Sequence, residues 1–283
     1  NGITTTTFKG TGTLTSTLGL RGDVTIAIIE GYDSIGDNAF QNTLHLTSIT
    51  IGDSVTSIGK NLFNAYANNN PALKELTIGN GVTNIGDSAF TFATKLTSVI
   101  FEGGSQLKTI PYDMFSYNYA LTSINIPSTI TTIGTGAFYA CNALESIDIQ
   151  NTVEYIGDYA FHGCVKLKNI NRYNIMPTSI KTIGERVFKN TLIESIMFMT
   201  DNYNNLTNTS FNDNAFSDSN ITSFTMSEGI AKRLDVSSFN YNDDDEYGAF
   251  DISFYGKSNV NIYSSVQTIV QPVITVPGVH VLP

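Results

Sequence analysis

The side chains of this chain that could do chemistry are mainly carboxylates, hydroxyls and amides on short segments that alternate with apolar residues. Four carboxylates stand in or beside such segments: Glu75, Glu145, Asp148 and Glu194. A pair of them facing each other across neighbouring strands could supply the acid and the base of glycoside hydrolysis. Scattered carboxylates on an exposed strand are more often plain surface, so we expect no enzymatic activity and keep a carbohydrate-active enzyme as the least favoured alternative.

No other arrangement of catalytic or metal-binding residues stands out. The three histidines lie in different kinds of segment: His45, His162 and His280. We expect the first two on solvent-facing turns, and the chain has no Gly-x-Ser-x-Gly, His-Glu-x-x-His or phosphate-binding motif. The acidic run from Asp243 to Glu246 lacks the alternating ligands and glycine of a calcium loop, and we interpret it as a solvated loop. The sequence therefore predicts no cofactor and no metal.

The elements that must position these groups are set by an internal repeat. The frame Ile-Gly-x-x-Ala-Phe stands at Ile133 to Phe138 and recurs, with looser copies, from residue 35 to beyond residue 210. The phenylalanines that close the copies are Phe40, Phe63, Phe90, Phe115, Phe138, Phe161, Phe188 and Phe216. Their separations of 23 to 28 residues are typical of a solenoid, in which each coil packs only on its neighbours.

A second pattern precedes the frame in each copy. In Leu121-x-x-Ile124-x-Ile126 the last two apolar residues are two apart, which predicts a strand with one buried face. In the most N-terminal copy the same reasoning places the strand at residues 25–28. Each coil is thus predicted to contain a short strand, a turn, a second extended piece that ends at the frame isoleucine, and a final segment that ends at the phenylalanine.

We predict a single helical turn for that final segment. Pro111 replaces the frame glycine in one copy, and proline suits the first position of a helix. An acidic residue follows the glycine at Asp37 and Asp158, where it would favour the positive end of a helix. Because proline is confined to negative φ, the glycines at this position are expected to serve close approach between coils.

Together these patterns predict an α/β-type repeat solenoid of parallel strands and short helical or 3-10 turns, with about 8–10 coils of roughly 23 residues. We expect an N-terminal cap at residues 1–23, the solenoid at 24–252 with irregular coils after 200, and a C-terminal cap and tail at 253–283.

The residues that carry the pattern, L-x-x-I-x-I followed by V-x-x-I-G-x-x-A-F, resemble the BspA-like leucine-rich repeats over residues 24–226. That resemblance implies a surface protein of a bacterium or protozoan that adheres to host extracellular proteins or to other cells. The cysteine that the family usually carries three residues after the phenylalanine stands here only as Cys141 and Cys164. We expect both to be reduced and buried, with a disulfide between successive coils as the alternative.

Composition excludes some partners. Charged residues make up 14% of the chain and the net charge is −10, so its surface would not attract nucleic acid. No apolar stretch approaches the roughly 20 residues of a membrane span. The first residue is Asn1, from which we expect a processed or trimmed chain. The family resemblance implies a location outside the cell or on its surface, and we expect a monomer.

The predicted binding site is a surface. Residues that flank the inner apolar positions of each strand should point outward and form two columns along the strand face. From these columns we choose as candidate binding residues Ser98, Ile100, Ser123, Asn125, Ser146, Asp148, Asn169, Asn171 and Met197. The predicted function is a binding module for an extracellular or host protein. A structural spacer, whose strand face binds nothing, is the main alternative.

Overall fold

The computed structural model describes residues 3–15, 24–41, 43–63, 72–198, 215–216 and 219–221, and the backbone of 223–227 and 279–282. The strands within these residues are β1 (Thr5–Lys9), β2 (Thr13–Leu14), β3 (Ile26–Glu30), β4 (Ser34–Ile35), β5 (Ser48–Ile51), β6 (Ser57–Ile58), β7 (Glu75–Ile78), β8 (Asn84–Ile85), β9 (Ser98–Phe101), β10 (Thr109–Ile110), β11 (Ser123–Ile124), β12 (Thr132–Ile133), β13 (Ser146–Ile147), β14 (Tyr155–Ile156), β15 (Thr182–Ile183), β16 (Ser195–Phe198), β17 (Ser223–Ser227) and β18 (Val279–Leu282). The acidic run at 243–246 and residues 253–278 of the expected cap and tail lie outside the described residues.

All strand pairs are parallel, and they form two ladders because each coil repeats the same two extended pieces. On the strand face the order is β1-β3-β5-β7-β9, followed by β11-β13 and then by β16-β17-β18. The second ladder contains the short strands that end at the frame isoleucines, in the orders β2-β4-β6-β8 and β10-β12-β14-β15. The described part of the chain is therefore a parallel-strand β-solenoid of about seven coils with a period of roughly 23 residues.

The first strand lies one residue later than the prediction. In β3, Ala27 pairs with Ile49 and Ile29 with Ile51, so Ala27 and Ile29 are the buried residues. The pattern was ambiguous because residues 26–29 are all apolar. Ahead of it, β1 pairs in parallel with β3 and covers its edge.

The closing phenylalanines form one continuous column through the core. From Phe40 to Phe216 each ring centroid lies 5.4 to 6.3 Å from the next, and Phe8 extends the column by one ring. From Phe90 onward neighbouring ring planes are within 4° to 19° of parallel. This column and the stacked isoleucines bury apolar surface that a single coil could not bury alone.

The predicted helical turn is wrong, since none of the residues that the structure describes is helical. The third residue after each frame isoleucine has a positive φ, for example 55° at Asn38 and 57° at Tyr159, and this left-handed conformation interrupts a right-handed helix. The backbone N–H groups of Asn38 and Phe40 instead donate to carbonyls of the following coil. The Asp37 carboxylate likewise accepts the backbone N–H of Lys60 in that coil, at 2.7 Å, so the acidic residue links coils instead of favouring a helix end.

The close-approach interpretation of the frame glycine is confirmed. A Cβ on Gly86 would lie 2.6 Å from the backbone nitrogen of Lys60 in the preceding coil, and one on Gly134 would lie 2.8 Å from the carbonyl carbon of Pro111. Real Cβ contacts are not this short, so a side chain there would push neighbouring coils apart. None of these frame glycines has a positive φ.

The two cysteines occupy equivalent positions of successive coils, and the side chain at this position donates a hydrogen bond to the preceding coil. Both thiols are free and fully buried, and each Sγ donates at 3.1 Å to a phenylalanine carbonyl, Cys141 to Phe115 and Cys164 to Phe138. In the same slot Asn118 donates its Nδ2 to the carbonyl of Phe90. Burial, together with the neighbouring Cys141, raises the pKa of Cys164 well above its usual range, which keeps it a thiol.

Candidate functional site

A groove of about 750 Å³ opens on the strand face in the second half of the solenoid. Its floor is formed by strands β11 and β13 and the residues that follow them, with Asn125 and Asp148 pointing outward from successive coils. Ser123 pairs with Ser146, and Ser146 with Asn169, so the hydroxyls and the amide stand in register along the groove. The groove therefore presents a regular row of hydrogen-bonding groups on an apolar backing of Ile124, Ile147 and Ile149.

The groove begins where the strands of this face become shorter. In β5, β7 and β9 the ladder continues through four residues, and the next backbone N–H, that of Gly52, Gly79 or Glu102, donates to the preceding coil at 2.8 to 2.9 Å. Pro127 holds the corresponding place after β11 and has no N–H to donate. The ladder in β11 ends at Ile124, two residues early, and the backbone of Asn125 is left beside the groove.

An insertion after Asn169 builds one wall of the groove. The Asn171 side chain holds this wall, because its Oδ1 accepts the backbone N–H groups of Tyr173 (3.1 Å) and Ile175 (2.9 Å) and its Nδ2 donates to the carbonyl of Ile175. Asn174 closes the loop with an Oδ1 that accepts the backbone N–H of Ile170 at 3.0 Å. Ile175 then pairs with Met197, which returns the chain to the strand face.

The wall adds an aromatic ring and a guanidinium group, which the two columns of the strand face lack. Tyr173 is 58% exposed, and the Arg172 guanidinium lies over its ring, 5.1 Å from the ring centroid. Among the described residues of the groove lining, Arg172 is the only cation and Asp148 the only carboxylate. The groove thus offers an aromatic surface and one charge of each sign within a row of neutral polar groups.

Six of the nine sequence-predicted site residues line the groove together: Ser123, Asn125, Ser146, Asp148, Asn169 and Asn171. Ser98, Ile100 and Met197 lie on the same face but outside the groove lining, and Ile100 is 53% exposed. The sequence-based choice missed Arg172, Tyr173 and Gln150. An insertion that directly follows a column residue was the signal for the first two, because such a loop must leave the strand face beside that residue.

Within the described ranges no group of three or more His, Cys, Asp or Glu side chains is close enough to hold a metal ion. The same ranges contain no helix with the length and apolar character needed to cross a bilayer. What the site can do chemically is donate and accept hydrogen bonds along an extended ligand.

Coil length, two parallel ladders and a buried phenylalanine column define this protein as a leucine-rich-repeat-type solenoid. Comparison with known families makes the class specific, since the BspA type leucine rich repeat region matches in six copies over residues 23–145 and 108–244. The chain belongs to this family. No curated protein sequence matches it.

A solved structure supports the fold. A leucine-rich repeat protein from Bacteroides ovatus is 27% identical, with a TM-score of 0.54 over 72% of this chain and 55% of that one. The chain therefore spans little more than half the length of the Bacteroides protein. A leucine rich cell surface protein from Faecalibacterium prausnitzii is 25% identical (TM-score 0.38, 71% of this chain and 67% of that one), and the Treponema pallidum protein TpLRR is 19% identical (TM-score 0.40, 75% and 78%).

Proposed function

We propose that this protein is an extracellular or cell-surface binding module that holds an extended segment of a host or other extracellular protein in the groove of its strand face. The observation that carries the proposal is the convergence of six outward column residues with Arg172 and Tyr173 on one groove. Membership of the BspA-type family supports a protein-binding role for the repeat region.

The composition of the groove favours a peptide backbone as its ligand. Serine hydroxyls and asparagine amides can each donate and accept, as peptide groups do, and they repeat along the groove at the spacing between neighbouring strands of about 4.8 Å. Tyr173 and Arg172 supply residue types that dominate binding energies at protein interfaces. Asp148 would favour a basic residue in the bound segment, and Arg172 an acidic one.

Catalysis has less support from this site. Two-carboxylate glycoside hydrolysis requires a pair of carboxyl groups across the scissile bond, whereas Asp148 is the single carboxylate among the described residues of the groove lining. Glu75 lies on β7, outside the groove lining.

The test is a binding comparison with variants matched between two parts of the same face. The fragment is presented to a panel of purified extracellular matrix and serum proteins and to a displayed library of random peptides. A groove variant, Asn125→Ala with Asp148→Ala and Tyr173→Ala, should lose at least about tenfold in affinity for whatever the wild type binds, because each removes an interface group. The matched control, Thr50→Ala with Thr77→Ala on β5 and β7, should bind as the wild type does.

Two results would count against the proposal. Binding that the control variant loses and the groove variant keeps would place the site on the earlier coils. A folded wild-type fragment that binds no member of the panel or library would favour the spacer, in which the strand face has no ligand.

A further inference from the structure

A second cavity, of about 290 Å³, lies among the turn segments that follow the second ladder, on a different flank of the coils from the groove. Tyrosine rings from three successive coils line it: Tyr112 and Tyr117, then Tyr139, then Tyr159. With 14 tyrosines in 283 residues, four around one small cavity is a strong local concentration. We name this cavity the tyrosine pocket.

The rings of the tyrosine pocket hold each other in place across the coils. Tyr117 is stacked on Phe92 of the preceding coil with centroids 4.3 Å apart and ring planes 7° from parallel. Tyr139 contacts Tyr117 edge to face at 5.3 Å, and His162 lies 4.9 Å from Tyr139 and 5.7 Å from Tyr159. His162 lies in a turn, as the sequence predicted, but it is half-buried among rings and does not face solvent fully. These rings are ordered before any ligand arrives, which lowers the entropy cost of binding.

One carboxylate is placed among these rings. Asp113 lines the tyrosine pocket, and its carboxylate occupies the space above Gly136, where a Cβ would overlap it. Partial burial raises the pKa of Asp113, a hydrogen bond from Tyr112 opposes that rise, and the charge of Asp87 adds to it. Among the described residues of the lining the one basic side chain is His162, and Arg186, which lies near Tyr159, forms an ion pair with Glu185 at 3.3 Å. The Asp113 carboxylate is thus partly removed from water with no lysine or arginine among the described lining residues to balance it.

We propose that the tyrosine pocket binds the side chain of an arginine or lysine from a partner protein, with Asp113 as its counter-ion and the tyrosine rings around its charged end. Aromatic faces attract cations through the negative potential above the ring, and the attraction grows when both are shielded from water. Charge complementarity favours this occupant. The Asp113 carboxylate would repel an anion, and a neutral apolar group would cover the carboxylate without supplying a counter-ion. The volume suits one long side chain, since it is close to the lower end of small-ligand pockets.

The decisive variant is Asp113→Asn, which removes the charge and preserves the fold. Asp113 has a φ of 50°, and Asn38 and Asn61 occupy the equivalent position of earlier coils with φ values of 55° and 48°. Asparagine therefore fits this left-handed position in the same solenoid. For the aromatic contribution, Tyr139→Leu removes the ring and Tyr139→Phe keeps it.

The experiment titrates the full chain with two capped pentapeptides. One has a central arginine between glycines, and the other has citrulline, the neutral analogue of arginine, at the same place. Binding is measured by calorimetry and by shifts of labelled tyrosine resonances. We expect the arginine peptide to bind about tenfold more tightly than the citrulline peptide. Asp113→Asn should abolish this preference and Tyr139→Leu should weaken it, whereas Tyr139→Phe should keep it. Glu75→Gln, on β7 and outside both the groove and the tyrosine pocket, should also keep it.

Equal binding of the two peptides, or a preference for arginine that survives Asp113→Asn, would overturn the proposal. Binding of tetramethylammonium but of neither peptide would overturn the assignment to a protein side chain. Because the groove shares no residue with the tyrosine pocket, variants separate the two sites: an arginine preference lost with Asp148→Asn and kept with Asp113→Asn would assign the peptide to the groove and overturn the proposal.

Discussion

The strand face has two regions built on one core. Along β3, β5, β7 and β9 the ladder is continuous, four or five residues deep, and carries small side chains such as Thr50 and Thr77. Along β11 and β13 it is two residues deep, and a groove with an ordered wall takes its place. Beneath both regions the phenylalanine column continues with the same spacing.

The repeat therefore fixes the buried residues of each coil, whereas the residues of the strand face can change. The groove lies where β11 and β13 are only two residues long, with Pro127 following the first and the insertion held by Asn171 forming the wall, while the buried positions of the same coils keep their residue types. A coil can therefore gain a site at its surface without losing its packing on its neighbours.

The largest expected effect tests whether the core is shared by both regions. Phe63→Ala, under the continuous ladder, and Phe138→Ala, under the groove, each remove a buried ring that stacks on two others. Each should lower the free energy of unfolding by about 3–5 kcal/mol in denaturant titrations. If one variant melts only its own region and leaves the other region at the wild-type midpoint, the core is not continuous.

The next effect tests the close approach of the coils. Gly157→Ala places a Cβ against the backbone of Gly134 and Thr135 in the preceding coil, and the resulting overpacking should lower the free energy of unfolding by about 1–3 kcal/mol. Gly103→Ala is the matched control because a Cβ there has nothing within 4 Å. Equal thermal midpoints for the two variants would show that the frame glycine has no packing role.

A smaller effect on stability distinguishes the wall of the groove from the continuous ladder. Asn171→Ala leaves the backbone N–H groups of Tyr173 and Ile175 without their acceptor and should lower the free energy of unfolding by about 1–2 kcal/mol. Thr77→Ala, at a half-buried position of the continuous ladder, should change it by no more than about 0.5 kcal/mol, because surface substitutions that break no cap, buried hydrogen bond or core contact usually have small effects. Calorimetry on both variants measures the contrast, and equal losses would mean that the wall is no better ordered than the plain face.

The smallest expected effect on stability concerns Asp113 in the tyrosine pocket. The raised pKa of Asp113 means that the folded protein binds this proton more tightly than the unfolded chain, so its contribution to stability is present at low pH and is lost as the pH rises through the raised value. Asp113→Asn should therefore raise the thermal midpoint slightly near neutral pH. The gain should disappear below the ordinary pKa of 3.8. A gain that is the same at both pH values would rule out the desolvated charge as its cause.

Much of the fold follows from the sequence, because stacked coils force equivalent residues into register. Alternation and period were enough to predict the parallel strands, the phenylalanine column and the role of the frame glycine. The helical turn was wrong because Asp37 and Pro111 fit a helix start equally well as a tight turn, and no residue pattern shows that Asn38 or Tyr159 adopts a positive φ.

The candidate site was predictable in part for the same reason. Outward positions such as Asn125 and Asp148 follow from strand alternation. The depth of the groove does not, since it depends on where the ladder of β11 ends, at Ile124, and on how Asn171 folds the insertion that carries Tyr173. The tyrosine pocket was missed because its rings occupy different positions of the repeat in each coil and meet only after the coils stack.

The most direct test of the central claim, that the grooved region and not the continuous ladder binds the partner, is photo-crosslinking from one position in each region. A photoreactive phenylalanine analogue is placed at Asn125 or at Thr77, and each fragment is exposed to the extracellular protein that binds the wild type in the panel. We expect a crosslinked complex from position 125 and none from position 77. Crosslinking from position 77 alone would contradict it.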